Sequence, residues 1–485
     1  MASDKKADVR TPNNAYLSMR EKAELPETLM GGTQAMRAAG KEYLPKEPAE
    51  SDDAYKQRIG RSFLFNAYSK AVNDLTGRLF REGVKTDKVL PVLEPLLEDI
   101  DLTGRDLSRF SKDIFKDAWH SGVTYLVVDF PPAPVPDPNT APLSQADEAA
   151  MNLRPYWVHI TQKNLINWTS EVVNGVERLT RVQIVEEVEE ADGEWGCNHI
   201  EQVRVLRPGS WAIYRKQETG GSGEWVVVQS GTTTLNFIPL IPIYMNRTGF
   251  MTGAPVLENL AELNLCHWQS SSDQRHILHV ARVPILFGAG FTETTGKVEI
   301  GPNRLIKNSD PTSKLTYVEH TGKSIEAGVA DLENLEKQMK VCAMEPLMPK
   351  TGAATATARA LDSVEAATAL EEMGESFTDS LELALQYTNA WLGGDVTLDA
   401  GCIEIEVDFA LTLGDQADLD ALNKARASRD ISAQTYTTEL KRRDVLSKEF
   451  DFEADALLLE AEGPALGDLT SPLMKDNNDI KENGQ

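Results

Sequence analysis

The stretch APVLENLAELNLCHWQSSSDQRHILHVARVP (254–284) sets the frame for the rest of the chain. Pro255 suits the first turn of a helix and Pro284 cannot continue one, so the pattern predicts a single helix from about 255 to 282. About 28 residues at 1.5 Å each span roughly 42 Å, which is too long for a helix inside one small core. The chain is therefore expected to contain an elongated element beside its compact domains.

The segments that follow extend this elongated element. Short β-rich runs between 285 and 318 predict a small sheet, and the pattern over 328–345 predicts a second helix. Residues 346–357 (PLMPKTGAATAT) predict a loop, because two prolines and a glycine interrupt them. A long helix is then predicted from about 358 to 392, ending at Gly393-Gly394. The predicted order is helix, small sheet, helix, loop, long helix.

This last helix is predicted to be amphipathic and strongly acidic. Its apolar side chains recur at spacings of three and four residues, with Ser380 the one break, at Leu370, Met373, Phe377, Ala384, Tyr387 and Trp391. One base, Arg359, stands against seven acids, which are Asp362, Glu365, Glu371, Glu372, Glu375, Asp379 and Glu382. The simplest interpretation of the acids is a solvated face opposite the apolar stripe.

The first half of the chain divides into a helical and a β-rich part. Residues 1–50 are polar and turn-rich, which predicts an arm lying on something else or a frayed end. Helices are predicted over 52–81 and 104–120, the first with a solvated basic face, and a strand over 124–130. Residues 156–245 predict an antiparallel β domain with hairpin turns at Asn174-Gly175 and Asp192-Gly193.

The C-terminal part predicts a strand around 403–409, short helices near 416–428, 433–446 and 451–461, and a disordered tail from 463. The fold class is therefore α+β.

Composition excludes several classes of protein. Of the 485 residues, 41% are hydrophobic, which excludes wholesale disorder. With 49 basic and 75 acidic residues the net charge is −26, which argues against a protein that grips nucleic acid over its whole surface. Four cysteines are too few for a disulfide framework. Charges occupy the N-terminus and no apolar run approaches about 20 residues, so we expect a soluble intracellular protein without a membrane partner.

No motif predicts an enzyme. The stretch 290–298 has one residue too many between its glycines for a phosphate loop, and it ends in Val298 instead of Ser or Thr. The pairs Cys197/His199 and Cys266/His267 lack a second pair at metal-ligand spacing. We therefore expect no catalytic residue, no metal site and no cofactor. Clustered acids that bind Mg²⁺ in a nucleic-acid-processing enzyme remain the alternative.

Several segments resemble one family in order along the chain. YLPKEPAESDDAYKQRIGRSFLFNAYSKAVNDLTGRLF (43–80), the stretch 254–290 and DLENLEKQMKVCAMEPL (331–347) are similar to one branch of tailed-bacteriophage portal proteins. TATARALDSVEAATALEEMGESFTDSLELALQYTNAWLG (355–393) and the helical segment 426–462 resemble the same branch. The similarity covers most of residues 43–462, and the order of the segments carries it, since no single motif is diagnostic.

The resemblance implies a homo-oligomeric ring, usually of twelve subunits, at one capsid vertex of a virion assembled in the host cytoplasm. Double-stranded DNA passes through its channel during packaging and ejection, and the ring contacts the major capsid protein, terminase and a head–tail adaptor. The implied parts are an N-terminal arm (1–42), wing (43–250), first stem helix (251–282), clip (283–326), second stem helix (327–345), tunnel loop (346–357), tunnel helix (358–394), wing and crown (395–462) and a disordered tail (463–485). Another virion connector is the third interpretation.

A closed ring places one copy of every residue around the axis. On this interpretation the tunnel loop and the start of the tunnel helix supply weak phosphate contacts from Lys350, Thr351, Thr355, Thr357 and Arg359. A salt bridge to a neighbouring subunit is the alternative for Arg359. The acidic helix residues Asp362, Glu365, Glu371 and Glu372 either line the channel, where they repel DNA and prevent adhesion, or pair with a neighbouring subunit.

Overall fold

A computed structural model describes residues 8–131, 151–217, 223–282, 285–289, 312, 314–318, 323–343, 356–405, 416–442, 445–447 and 450–462. The chain divides into two compact units. The first comprises residues 1–345 and 364–407, and the second comprises residues 346–363 and 408–485. Helices and antiparallel sheets occur together, which confirms the predicted α+β class.

The helices of the described residues are numbered here in chain order. They are α1 (Asn14–Met30), α2 (Gly32–Ala39), α3 (Asp52–Arg61), α4 (Ala67–Leu79), α5 (Leu107–Ser121), α6 (Glu258–Ala281), α7 (Lys323–Cys342), α8 (Ala356–Trp391), α9 (Gln416–Ala427), α10 (Ala433–Arg442) and α11 (Phe452–Glu462). The predicted long helices and the three C-terminal helices are confirmed. Gly393, with φ +85°, follows α8 as predicted, because glycine adopts this conformation without strain.

The strands form two principal sheets and three small pairs. They are β1 (Lys85–Asp87), β2 (Val123–Asp129), β3 (Tyr156–Ile160), β4 (Leu165–Val173), β5 (Val176–Asp192), β6 (Gly196–Arg207), β7 (Ser210–Gln217), β8 (Glu224–Thr232), β9 (Leu240–Tyr244), β10 (Arg247–Gly249), β11 (Thr252–Gly253), β12 (Ile285–Ala289), β13 (Lys314–Val318) and β14 (Cys402–Glu404). Five strands follow the order β4-β5-β6-β7-β8 and three the order β3-β2-β9, all antiparallel. The pairs are β1–β14, β10–β11 and β12–β13.

The sheets meet over a shared apolar core. Tyr125 and Val127 of β2 and Val182 and Ile184 of β5 are buried in one cluster. Both predicted hairpin turns are present, with positive φ at Asn174, Gly175 and Gly193. The sequence missed β4, in which only Leu165 and Ile166 are buried and the remaining side chains are half-buried or exposed. The shared core therefore holds the two sheets together, and β4 is positioned by its pairing with β5.

The predicted helix over 52–81 is wrong in one respect, because the structure has two helices there. Ser62 ends α3 in an extended conformation, and the Asn66 side chain caps α4 by accepting a hydrogen bond from the Ser69 backbone N–H at 3.0 Å. Phe63, which a continuous helix would place in line with Tyr55 and Ile59, lies in this break and is exposed. Serine and asparagine are both tolerated inside helices, so periodicity alone does not reveal such a break.

Two further predictions for the first 60 residues need correction. Residues 14–39 are not a frayed end, because α1 and α2 bury Met19, Ala23, Leu29 and Met36. The predicted solvated basic face of α3 also fails at Arg58, whose side chain is only 5% exposed. An arm lying on other elements is the interpretation that agrees with the contacts of α1 with α5, β4 and β11.

Several predictions fall on residues that the structure does not describe. They are the β runs between 290 and 311, the loop residues 346–355, most of the strand predicted after 404, and the tail from 463.

Candidate functional site: the helical hairpin and the long helix

The helices α6 and α7 form an antiparallel hairpin that continues into a small sheet. Gln274 donates a hydrogen bond from its side chain to the Ile325 carbonyl at 3.0 Å, and His267 Nε2 lies 3.6 Å from Glu336 Oε1. Beyond the helices, β12 and β13 pair from Ile285↔Val318 to Ala289↔Lys314. This is the elongated element that the stretch 254–284 predicts.

The two helices approach closely at Gly328. A Cβ atom there would collide with the side-chain oxygen of Gln274, which is itself buried. Glycine at this position thus lets Gln274 lie across the interface and reach Ile325. Burial lowers the pKa of His267, while the partly exposed Glu336 carboxylate acts in the opposite direction. The hairpin is therefore held by specific polar contacts as well as by apolar packing.

A row of polar side chains on α6 fixes the hairpin to residues 43–68. Asn264 accepts a hydrogen bond from the Tyr68 backbone N–H at 3.0 Å and donates one to the Phe65 carbonyl at 2.9 Å. The remaining contacts of the row are Gln269 with the Tyr43 carbonyl (3.0 Å), the Ser272 hydroxyl with that of Ser62 (2.9 Å) and Asp273 with Arg58 (3.8 Å). Two of the segments that carry the sequence resemblance thus lie against each other.

Arg58 connects this row to a buried ion pair. Its guanidinium donates to both oxygens of Glu50 at 2.9 Å and to the Pro45 carbonyl at 2.7 Å. The hydrogen bonds from Arg58 hold the pKa of Glu50 below its ordinary value, although burial acts against them. Because the guanidinium is bidentate to the carboxylate, the pair fixes the orientation of α3 against the chain before it.

The C-terminal half of α8 is anchored in the core of the first unit. Phe377 packs edge-on against Phe115, with ring centroids 5.2 Å apart, and against Phe80 at 6.0 Å. Two tryptophans add hydrogen bonds, from Trp157 to the Thr388 hydroxyl (2.8 Å) and from Trp391 to the Val128 carbonyl (2.9 Å). The predicted apolar stripe is confirmed at Leu370, Phe377 and Ala384, which are fully buried.

The opposite face of α8 carries the predicted acids. Glu371, Glu372, Glu375 and Asp379 are exposed, as expected for a solvated face. Glu382 is half-buried and accepts a hydrogen bond from the Ile403 backbone N–H at 2.9 Å, so it holds β14 against the helix. The exposed set, called the acidic stripe below, comprises Glu371, Glu372, Glu375 and Asp379.

The other predicted site residues can be placed only in part. Lys350, Thr351 and Thr355 lie outside the described residues. Four more lie within the range of α8, where the structure describes the backbone alone, namely Thr357, Arg359, Asp362 and Glu365. Their roles stay predictions. Of the predicted site residues, the structure describes the side chains of Glu371 and Glu372, which are exposed.

The sequence missed a partly buried cluster where α5 meets the sheets. The two carboxylate oxygens of Asp117 lie 3.2 Å from His120 Nε2 and 3.2 Å from His159 Nε2, and the Thr124 hydroxyl donates to the carboxylate at 2.8 Å. Burial alone raises the pKa of Asp117, but the hydrogen bonds from His120 and His159 outweigh it and hold this pKa well below its ordinary value. No motif spacing identifies the cluster, because Asp117 and His120 lie on α5 whereas His159 lies on β3.

In the described part of the chain, no group of three or more His, Cys, Asp or Glu side chains is positioned to hold a metal ion. Among the same residues, no helix combines the length and apolarity needed to cross a bilayer.

A protein-family model described as "Domain of unknown function (DUF4055)" matches residues 256–392, which include α6, α7 and α8. No curated protein matches the chain.

Solved structures with a similar chain path come from gene transfer agent (GTA) particles. One is from the "Virion of native gene transfer agent (GTA) particle", at 13% identity and a TM-score of 0.37, covering 81% of this chain and 89% of that one. Others are from the "Neck of native GTA particle computed with C12 symmetry" (11% identity, TM-score 0.38, 77% and 89% covered) and the "Neck of empty GTA particle computed with C6 symmetry" (12%, 0.38, 81% and 89%).

Proposed function

We propose that this chain is the subunit of a portal-type ring, a non-enzymatic component of a tailed-phage virion that conducts double-stranded DNA through one capsid vertex. The observation that carries the proposal is the hairpin α6–β12–β13–α7 followed by the long helix α8. This is the order of stem helix, clip, stem helix and tunnel helix that the sequence resemblance implies. On this proposal the ring binds terminase during packaging and the adaptor after it.

Two features of the described residues support a ring of identical subunits. The helical hairpin is fixed rigidly at its base through Asn264, Gln269 and Ser272, so a ring contact made by one helix is transmitted to residues 43–68. α7 exposes Val329 and Val341, which are large apolar side chains for a solvated surface. A heterologous interface that closes by rotation would cover such side chains in every subunit.

The net charge agrees with conduction of DNA. A protein with a charge of −26 does not retain a duplex over its surface, since binding needs clustered Lys and Arg. A channel through which DNA slides needs weak contacts, and acids facing the duplex lower its adhesion. We propose that the acidic stripe of α8 faces the channel and that Lys350, Thr351, Thr355, Thr357 and Arg359 supply the weak phosphate contacts.

The test is the mass and shape of the assembled protein. Twelve chains of 53.5 kDa give a ring of about 640 kDa with an axial hole. Light scattering and negative-stain images of the full-length chain, expressed alone and together with its capsid protein, would measure both. Monomers or small dimers in both preparations, at several salt concentrations, would contradict the proposal.

A further inference from the structure

The hairpin β5–β6 extends beyond the sheet that contains it. β4 pairs with β5 only as far as Leu165↔Ile184, and β7 pairs with β6 only from Gln202↔Arg215 onward. From Glu187↔Glu201 to Asp192↔Gly196, the two strands pair with each other and with no further strand among the described residues. The five steps between these six residues, at about 3.3 Å each, make this ribbon roughly 17 Å long.

The turn of this ribbon carries Trp195, which is 91% exposed. A side chain of this size removes 150–250 Å² from water when it is buried, roughly, so leaving it at a tip forgoes a large stabilisation. No packing contact within the described residues explains the position, and neither the core nor the helical hairpin uses it. An exposed tryptophan at the end of a protruding element is the pattern of an interface anchor.

The charges around Trp195 define what it can bind. Residues 186–201 contain seven acids and no Lys or Arg. Arg204, Arg215 and Arg10 form ion pairs with three of these acids, namely Glu186, Glu190 and Glu201. Four acids remain at the outer part of the ribbon, namely Glu187, Glu189, Asp192 and Glu194. His199 Nδ1 lies 3.6 Å from a carboxylate oxygen of Glu187 and 3.8 Å from one of Glu189.

We propose that the ribbon tip is a docking element for a second, different protein, whose surface offers an apolar pocket rimmed by Lys and Arg. Trp195 enters the pocket, and the four outer acids meet the basic rim. Charge excludes nucleic acid as the occupant, because the acids of the tip would repel its phosphates, and a second copy of the chain is the occupant that the self-association measurement below tests. The inference goes beyond the portal proposal and does not depend on it.

The experiment uses the purified full-length protein as bait for a displayed library of random dodecapeptides. Peptides recovered on the wild-type chain are counter-selected on Trp195→Ser and measured by fluorescence anisotropy. We expect the recovered peptides to combine Lys or Arg with aromatic or aliphatic residues, and to bind Trp195→Ser about tenfold more weakly. A Glu187→Gln/Glu189→Gln variant should weaken binding and reduce its dependence on salt.

The matched control is Val172→Ser, which removes another solvent-exposed apolar side chain, on β4 where that strand pairs with the start of β5. It should bind the peptides as the wild type does, and circular dichroism should show that both serine variants are folded. Peptides without a basic bias, or equal binding to Trp195→Ser, would overturn the proposal. So would a loss of self-association in Trp195→Ser, because the occupant would then be a second copy of the chain. Trp195→Ser is expected to form rings normally. A negative result in the peptide-binding experiment is therefore separable from failure of the portal proposal.

Discussion

The side-chain amide of Asn264 caps the start of α4 from the middle of α6, accepting a hydrogen bond from the backbone N–H of Tyr68 at 3.0 Å across 196 positions of sequence. The same amide donates to the Phe65 carbonyl at 2.9 Å, and Asn264 is fully buried. A buried amide with both ends satisfied stabilises the contact, and removing it leaves two backbone groups without partners. Asn264 is therefore a main contributor to the row of contacts that holds the base of the helical hairpin.

We predict that Asn264→Leu lowers the free energy of unfolding by about 2–4 kcal/mol, because the Tyr68 N–H and the Phe65 carbonyl become buried without partners. Asn264→Asp keeps the acceptor and loses the donor, so its effect should also be large. Urea unfolding followed by circular dichroism measures both. Asn334→Leu, at an exposed position on α7, is the control and should change stability by less than about 0.5 kcal/mol. Equal effects at the two positions would show that the Asn264 contacts do not stabilise the fold.

Gly122 is the second position where a single side chain should be excluded. Its φ is +76°, and an added Cβ would collide with the backbone of Ala254, so the position combines a conformational and a steric requirement. We predict that Gly122→Ala destabilises the protein by more than about 3 kcal/mol or prevents its accumulation. Gly104→Ala is the matched control, since Gly104 also has positive φ (+86°) but open space around it, and it should cost about 1 kcal/mol. Thermal unfolding measures the stability of both variants, and the difference between their losses isolates the steric cost at Gly122. Equal losses in the two variants would contradict the predicted collision with Ala254.

The contrast between predicted and unpredicted features follows from their physical origin. Local hydrophobic periodicity determines long helices such as α6 and α8, and turn residues determine hairpins such as the one at Asn174-Gly175. The sequence therefore predicted both. The break between α3 and α4, the burial of Arg58 and the role of Asn264 depend on partners far along the chain. No local pattern distinguishes a paired buried arginine from a solvated one. For the candidate site, the sequence predicted the acidic stripe, because its solvation follows from the apolar stripe opposite.

The Asp117 cluster makes stability depend on pH. The pKa of Asp117 is lower in the folded protein than its ordinary value near 3.9, so the carboxylate stabilises the fold above that value and the contribution is lost as the pH falls through the folded pKa. We predict that Asp117→Asn lowers the free energy of unfolding by roughly 2 kcal/mol between pH 5 and pH 7. The difference from the wild type should shrink only below about pH 4.

Urea midpoints at pH 7, 5, 4 and 3 measure this difference. The control is Asp379→Asn, an exposed acid whose removal should leave the midpoint unchanged at every pH. A difference that disappears already between pH 7 and pH 5 would show that Asp117 does not carry the effect.

The acidic stripe of α8 gives the most direct test of DNA conduction. Glu371, Glu372 and Glu375 are exposed, so the triple substitution to Gln should shift the thermal midpoint by less than about 2 °C. If these acids face the channel, their removal should strengthen retention of a linear duplex by assembled rings roughly threefold to tenfold at low salt, because three repulsive charges per subunit are lost. Filter binding between 50 and 200 mM salt, approximately, measures the retention and its salt slope.

The matched control neutralises three exposed acids of α7, Glu326, Asp331 and Glu333. Equal gains in both variants would reflect the lower net charge alone, whereas a stripe that pairs with a neighbouring subunit would give weaker ring assembly and unchanged DNA retention.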